Sequence, residues 1–325
     1  MDRLVSGFVA RPLWPGGPPV GPIGVGTAEL GLAYGTPGTP ATRPSARTAA
    51  RFVEAALERG VRFFDTARGY GVAEARLGRA IGGREGVVVA TKAALPPAGS
   101  GRSVERALER SLRASLAALR METVDVLQLH SAGAETIGRE DVLAALDRLK
   151  ERGWLRVAGA TVYDAEAART AIASGAYAVL QIAIHPLDPT VEDVLREASA
   201  AGVGVVARSI LLRGTLSPRA ASLPLSLAPL REAAYALARA AGTDLAGLPA
   251  IAYRWALERS AVAVALVGTS NLVELEAAIA AAAVGPLPAS TARDIAALPV
   301  VGGTSIDPRT WESPVVSQAT AGSPQ

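Results

Sequence analysis

Asp65, Tyr70, Lys92 and His130 are residue types from which a tuned proton donor can be built. A tyrosine is a poor donor at its ordinary pKa of about 10. A neighbouring ammonium favours the phenolate and lowers that value, and a carboxylate beside the ammonium keeps it charged and in place. Tyrosine, lysine and aspartate together make a general acid, with a histidine to orient a carbonyl oxygen. The lysine is the telling member. Of 33 lysines and arginines only Lys92 and Lys150 are lysine, and Lys92 closes the apolar run Val87-Val88-Val89-Ala90-Thr91. A chain that otherwise supplies its cations as arginine has kept a compact ammonium there. Taken singly, each residue has a plainer reading: Lys92 a strand-end cation reaching solvent, Tyr70 a turn aromatic, Asp65 a helix cap, His130 a satisfied histidine. Their joint placement at the ends of consecutive strands is what points to chemistry.

The elements that must position them alternate. Short β-branched runs at residues 23–26, 61–64, 87–90, 124–129, 155–159, 178–182, 203–207 and 262–267 read as strands. Between them lie amphipathic helical patterns, among them 46–59, 103–119, 141–152, 164–173, 191–201, 230–241 and 272–283. Alternation of this kind implies right-handed βαβ units and a parallel sheet. Eight units in one chain fit a closed (β/α)8 TIM barrel, a single α/β domain whose reacting groups sit at the C-terminal ends of its strands. An open doubly wound sheet is the competitor. It would carry a glycine-rich phosphate turn after an early strand, whereas Gly24-Val25-Gly26 lacks the third glycine and the helix that should follow. The barrel is expected over residues 23–301, with residues 1–22 as an N-terminal cover segment and 302–325 as a polar tail, mobile or draped over the barrel.

Composition bounds the remaining chemistry. The 325 residues contain no cysteine, which removes disulfides, thiolate metal sites and a cysteine nucleophile. The formal charge of +3 is dispersed among acids along helical segments, a solvated surface and not a nucleic-acid footprint. No apolar stretch approaches a membrane span or a secretory leader, so a cytoplasmic location is expected. His130 and His185 lack the carboxylate partners of a metal site, and no metal is expected. His185 is expected to line the substrate cleft or cap a loop. Tyr34 and Tyr163 can reach the barrel mouth, while Trp154, which precedes its strand, belongs to the bottom face.

The run Phe63-Phe64-Asp65-Thr66-Ala67, then Gly69-Tyr70-Gly71 and Glu74-Ala75-Arg76-Leu77-Gly78, resembles the signature of the aldo-keto reductases. Ala90-Thr91-Lys92 and Leu127-Gln128-Leu129-His130 are similar to that family's lysine and histidine strands, and the likeness runs from Ile23 to Ala283. It implies a nicotinamide cofactor, NADP or NAD, bound extended without a Rossmann domain, and hydride transfer to or from a small-molecule carbonyl or alcohol. Tyr70 would be the acid/base, Asp65 and Lys92 would tune it, and His130 would seat the substrate oxygen. By the same resemblance Gly26, Thr27 and Asp65 lie along the cofactor, and Gln181 meets its carboxamide with an amide that both donates and accepts. The usual serine-asparagine pair after the fifth strand is Thr161-Val162 here, at the expense of one hydrogen bond. Where many members stack a tyrosine on the nicotinamide, this chain has Arg208, followed by Ser209, Leu211, Arg213 and Gly214, a form similar to a bacterial subgroup linked to sugar or secondary metabolism.

Gly268, Thr269 and Ser270 resemble the loop that holds a cofactor phosphate. The position usually filled by an arginine on the 2′-phosphate falls on Glu274, and the usual adenine-contacting asparagine on Ala278. A carboxylate there argues against the common NADPH grip unless Arg208, Arg213 or another arginine substitutes. Two other functions stay open: a Schiff-base aldolase or lyase working through Lys92, and a non-catalytic nicotinamide-binding module like the potassium-channel β subunits of the same fold. Substrate choice would rest on the loops at residues 94–102, 131–138 and 215–228.

Overall fold

A computed structural model describes residues 7–33, 35, 42–96, 103–301, 306–307 and 310–311. Tyr34, residues 97–102 of one expected specificity loop, and most of the 302–325 tail lie outside the described residues.

Eight parallel strands close on themselves in chain order. They are β1 Ile23–Gly26, β2 Phe63–Asp65, β3 Val88–Ala93, β4 Val124–Leu129, β5 Leu155–Thr161, β6 Tyr177–Ala183, β7 Gly204–Arg208 and β8 Val262–Val267. β8 pairs with both β7 and β1, which completes the (β/α)8 barrel. The crossover helices form for ordinary local reasons. In Ala46–Glu58 the Ser45 side chain accepts the Thr48 N–H, and Ala49, Phe52, Val53, Ala56 and Leu57 make one buried stripe at helical spacing. Ser103 caps Val104–Leu119 in the same way, and Leu108, Leu112 and Leu119 face the barrel.

Because side chains alternate across a strand, every second residue points into the barrel. Phe63, Val88, Ala90, Val126, Val179, Val206 and Val264 form an inner core distinct from the larger shell between strands and helices. An N-terminal hairpin, Arg11–Pro12 paired with Pro19–Val20, adds Leu13, Trp14 and Val20 to this inner core. Arg11 reaches the carbonyls of Ser260 and Val262 at the start of β8, so the hairpin closes the end of the barrel opposite the strands' C-termini. Two residues further along the strands the inward positions turn polar: Asp65 after Phe63, Lys92 after Ala90, Gln128 after Val126 and Gln181 after Val179. Register aligns them, with Asp65 opposite Ala90, Lys92 opposite Gln128, and Thr161 opposite Gln181.

Strand ends differ from expectation where pairing decides them. β2 starts two residues late and runs one further, because Phe64 and Asp65 pair with Val25 and Gly26 of β1, so Asp65 belongs to the sheet. β5 extends to Thr161 for the same reason. Trp311, in the segment expected as a tail, is buried and has the Arg213 guanidinium 5.9 Å from its ring. Among the described residues no single helix is long and apolar enough to cross a membrane.

Candidate active site

A layer of polar side chains inside a barrel is tolerable only if its members satisfy one another. Here they do. Lys92, 1% exposed, donates from Nζ to Asp65 Oδ2 at 2.5 Å and to the Thr66 carbonyl at 3.1 Å. The other Asp65 oxygen accepts from Gln181 Nε2 at 2.7 Å and from Gln128 Nε2 at 3.1 Å. Gln128 Oε1 in turn accepts from Thr161 Oγ1 at 3.1 Å. Side chains from β3, β4 and β6 thus converge on one carboxylate of β2, and β5 joins them through Gln128. Burial works against the lysine's charge, yet Asp65 and Tyr70 outweigh it and hold the ammonium above its ordinary 10.5. An amine held as ammonium is a poor nucleophile, which counts against Schiff-base chemistry.

Tyr70 Oη stands 3.5 Å from Lys92 Nζ, and the ammonium lies 5.0 Å from the ring centroid. The His130 ring meets the tyrosine edge-on at 5.8 Å between centroids. Burial first, and the Lys92 charge second, push His130 down to about 4, so at neutral pH it is an uncharged imidazole with one N–H to donate. The loop carrying Tyr70 is held from both sides. Gly31 abuts it so closely that a Cβ there would fall 1.8 Å from the Tyr70 carbonyl oxygen. Glu74, 2% exposed, accepts from Thr91 Oγ1 at 2.7 Å and from Arg68 Nη1 at 3.0 Å, tying the loop to β3 beside Lys92. Neither Gln128 nor Glu74 stood out in the sequence as a site residue. Glu74→Ala should leave the Thr91 hydroxyl without its acceptor, cost about 1–3 kcal/mol in urea melts and reduce turnover, with Glu74→Gln intermediate in both. Turnover unaffected by the alanine variant would show that the loop is placed without this tie.

The expected cofactor residues line the mouth around this centre. Gly26 ends β1, and Thr27 commits its N–H and its Oγ1 to the Asp65 carbonyl at 2.9 and 3.0 Å. Thr161 donates to Gln128, and Gln181 to Asp65, as described. Arg208 ends β7, where it lies 4.2 Å from the Tyr163 ring centroid and donates to the Val162 carbonyl and Ser209 Oγ. Beyond it Ser209, Leu212, Arg213 and Gly214 all take positive φ, a compact turn in which Leu211 is partly buried. Arg213 crosses to the Gly35 carbonyl at 2.8 Å. A Cβ built on Gly268 would meet nothing within 4 Å, so bare backbone faces open space there. His185 is 2% exposed, and its carbonyl accepts the Asp188 N–H in the loop after β6. Trp154 packs under Arg113 and Arg152 ahead of β5, with the bottom face.

At the far end of the mouth the structure departs from a lone carboxylate. Glu274 binds Arg219 at 2.5 Å and accepts from Thr269 Oγ1 at 2.6 Å, so its charge is paired. The Ser270 N–H donates to Glu29 at 3.1 Å, a residue the sequence gave no reason to single out. Ala278 is buried in the core shell. Among the described residues no group of three His, Asp or Glu side chains is placed to hold a metal.

Residues 22–299 match the family model described as the aldo/keto reductase family. An aldo-keto reductase of Mycolicibacterium smegmatis is 35% identical over 184 residues, 55% of this chain and 57% of that protein. Aldo-keto reductase Rv2971 of Mycobacterium tuberculosis is 36% identical over 156 residues, 46% and 52% of the two chains. The match thus spans about half the length of these curated relatives. A 6-dehydroglucose reductase of Novosphingobium aromaticivorans is 29% identical over 251 residues, 70% of this chain and 78% of that protein. Among solved structures, the holo form of aldo-keto reductase AKR11C1 from Bacillus halodurans superposes with a TM-score of 0.75 over 89% of this chain and 95% of that one, at 23% identity, a likeness of fold.

Proposed function

The chain belongs to the aldo/keto reductase family, and from that premise we propose that its barrel mouth catalyses hydride transfer between a nicotinamide cofactor and the carbonyl carbon of a small molecule, with Tyr70 exchanging the proton on the oxygen. The observation that carries this reading is the buried ammonium of Lys92, fixed by Asp65 at 2.5 Å and set 3.5 Å from the Tyr70 hydroxyl.

The residues at the inner end of the mouth fit a nicotinamide. An amide and a hydroxyl, Gln181 and Thr161, stand in the same polar layer as the Asp65–Lys92 pair, and the bare backbone of Gly268 leaves room for an extended ligand. Gln181, Thr161 and Arg208 would hold the cofactor's ring, with the positive-φ turn from Ser209 to Gly214 along its length. The cofactor supplies or accepts the hydride. Everything else is the work of the chain. Lys92 stabilises negative charge on the Tyr70 oxygen and so eases loss of its proton to a developing alkoxide. Asp65 keeps Lys92 ionised, and Gln128 and Gln181 keep Asp65 from turning away. His130, uncharged, donates its imidazole N–H to the same substrate oxygen and polarises the carbonyl. In the reverse direction Tyr70 takes the alcohol proton by the same path.

Titration with NADH and NADPH, followed by quenching of tryptophan fluorescence, and then turnover on a panel of aldehydes, ketones and sugars test the proposal together. Cofactor binding with carbonyl turnover is the expected result. Binding without turnover on any substrate would favour a regulatory module. Borohydride trapping of a carbonyl compound on Lys92 would favour a lyase.

A further inference from the structure

The loop after β8 and the helix it opens, Leu272–Val284, offer backbone N–H groups of the kind that bind anions. In this chain three of those groups are already taken. Ser270 N–H donates to Glu29 Oε2 at 3.1 Å, Asn271 N–H to Thr269 Oγ1 at 3.0 Å, and Val273 N–H to Asn271 Oδ1 at 3.0 Å. Arg219, on the long loop after β7, is spent on Glu274 at 2.5 Å. A seat for a phosphate needs free N–H donors and an uncommitted cation. This one holds two carboxylates, so its residues do not fit a 2′-phosphate.

Resting on the proposed nicotinamide chemistry, we infer that Glu29 is a specificity-determining residue, its carboxylate filling the place of the ribose 2′-phosphate, so that the chain takes NADH in preference to NADPH. Glu29 comes from the short segment after β1, on the opposite side of the seam from Glu274, and reaches the Ser270 amide across it. Among the described residues the charged groups that act on it are Glu274 and Arg219 from the facing elements; Tyr253, behind them, feels Glu274, and the Arg76 guanidinium binds the carbonyl of Leu30, the next residue along the segment. Burial first and Glu274 second raise Glu29 to about 7, against the opposing pull of Arg219 and the Ser270 N–H.

The inference has a sign that a cationic seat would not share. A phosphate monoester gains its second charge near pH 6 and binds a cationic seat more tightly as pH rises. Here Glu29 gains its own charge over the next units of pH, and repulsion grows instead. The ratio of NADPH to NADH dissociation constants should therefore rise between pH 6 and pH 8 in the wild-type protein. Glu29→Gln keeps the shape and an oxygen for the Ser270 N–H while removing the charge. It should lower that ratio several-fold to about tenfold at pH 8, little at pH 6, and flatten its pH dependence. Glu274→Gln, which releases Arg219, should move the ratio in the same direction.

The experiment is calorimetric or fluorescence titration of the full chain with NADH and NADPH at pH 6 and pH 8, for wild type and both variants. The wild-type ratio tests the idea even if a variant fails to fold. A wild-type preference for NADPH at pH 8, or a ratio that neither pH nor Glu29→Gln moves, overturns the inference. So does a variant that tightens both cofactors equally, because Glu29 would then face a phosphate the two share. Failure of the wild-type protein to bind either cofactor would overturn the nicotinamide reading itself, and the inference with it.

Discussion

Tyr70→Phe should fold normally, bind cofactor with unchanged affinity and lose turnover by about 10²–10⁴-fold, the usual contribution of a positioned general acid. The substitution deletes one oxygen and leaves the packing alone. The ring keeps its edge contact with His130 and its place beside the Lys92 ammonium. Lys92 loses its most distant partner but retains Asp65 and the Thr66 carbonyl, so no buried charge is stranded and stability should be nearly unaffected. What disappears is the only hydroxyl hydrogen-bonded to that ammonium among the described residues. Steady-state kinetics beside a thermal melt separate the two effects. A variant with wild-type kcat would assign the proton to another group, and His130 would be the next to test. A variant that melts early would show that the hydroxyl has a structural duty the geometry does not suggest.

The cluster of Asp65, Tyr70, Lys92 and His130 was legible because its members break local rules. A lysine that ends an apolar strand in an arginine-rich chain, and a carboxylate that ends another, are burial costs with no local return, and such conflicts collect at functional sites. Strand existence was equally plain, since eight β-branched runs alternate with helical stripes. Strand ends were not, because Asp65 and Thr161 join the sheet through partners far along the chain. Gln128 was visible only as a neighbour of His130, and its task of holding Asp65 depends on a register between β3 and β4 that no local pattern encodes. Glu29 lies deeper still. Its meaning comes from a contact spanning 241 positions, between the first strand's loop and the last, which only barrel closure creates. Glu274 stands out in the sequence as a carboxylate, but its pairing with Arg219 was invisible because the 3-10 turn Pro218–Ser222 sits within a long irregular loop.

Lys92→Met should be the most damaging single change, in two ways that can be separated. Methionine fills much the same volume but leaves the Asp65 carboxylate buried, with only the Gln128 and Gln181 amides as donors. Removing one partner of a buried pair costs about 3–5 kcal/mol. In the wild-type protein the folded lysine is held above its ordinary 10.5, so its contribution to stability is fully present below that value and is lost only as pH rises through the higher folded value. The double variant Lys92→Met with Asp65→Asn removes the stranded charge and should recover most of the stability. It should not recover turnover, because no ammonium then stabilises negative charge on the Tyr70 oxygen. Alcohol oxidation needs that oxygen to take a proton, so the oxidation rate should stay low at neutral pH and climb steeply as pH rises. Stability restored together with activity would reduce Lys92 to a structural anchor. Stability restored with the rate still low and steeply pH-dependent assigns the ammonium to the chemistry of Tyr70.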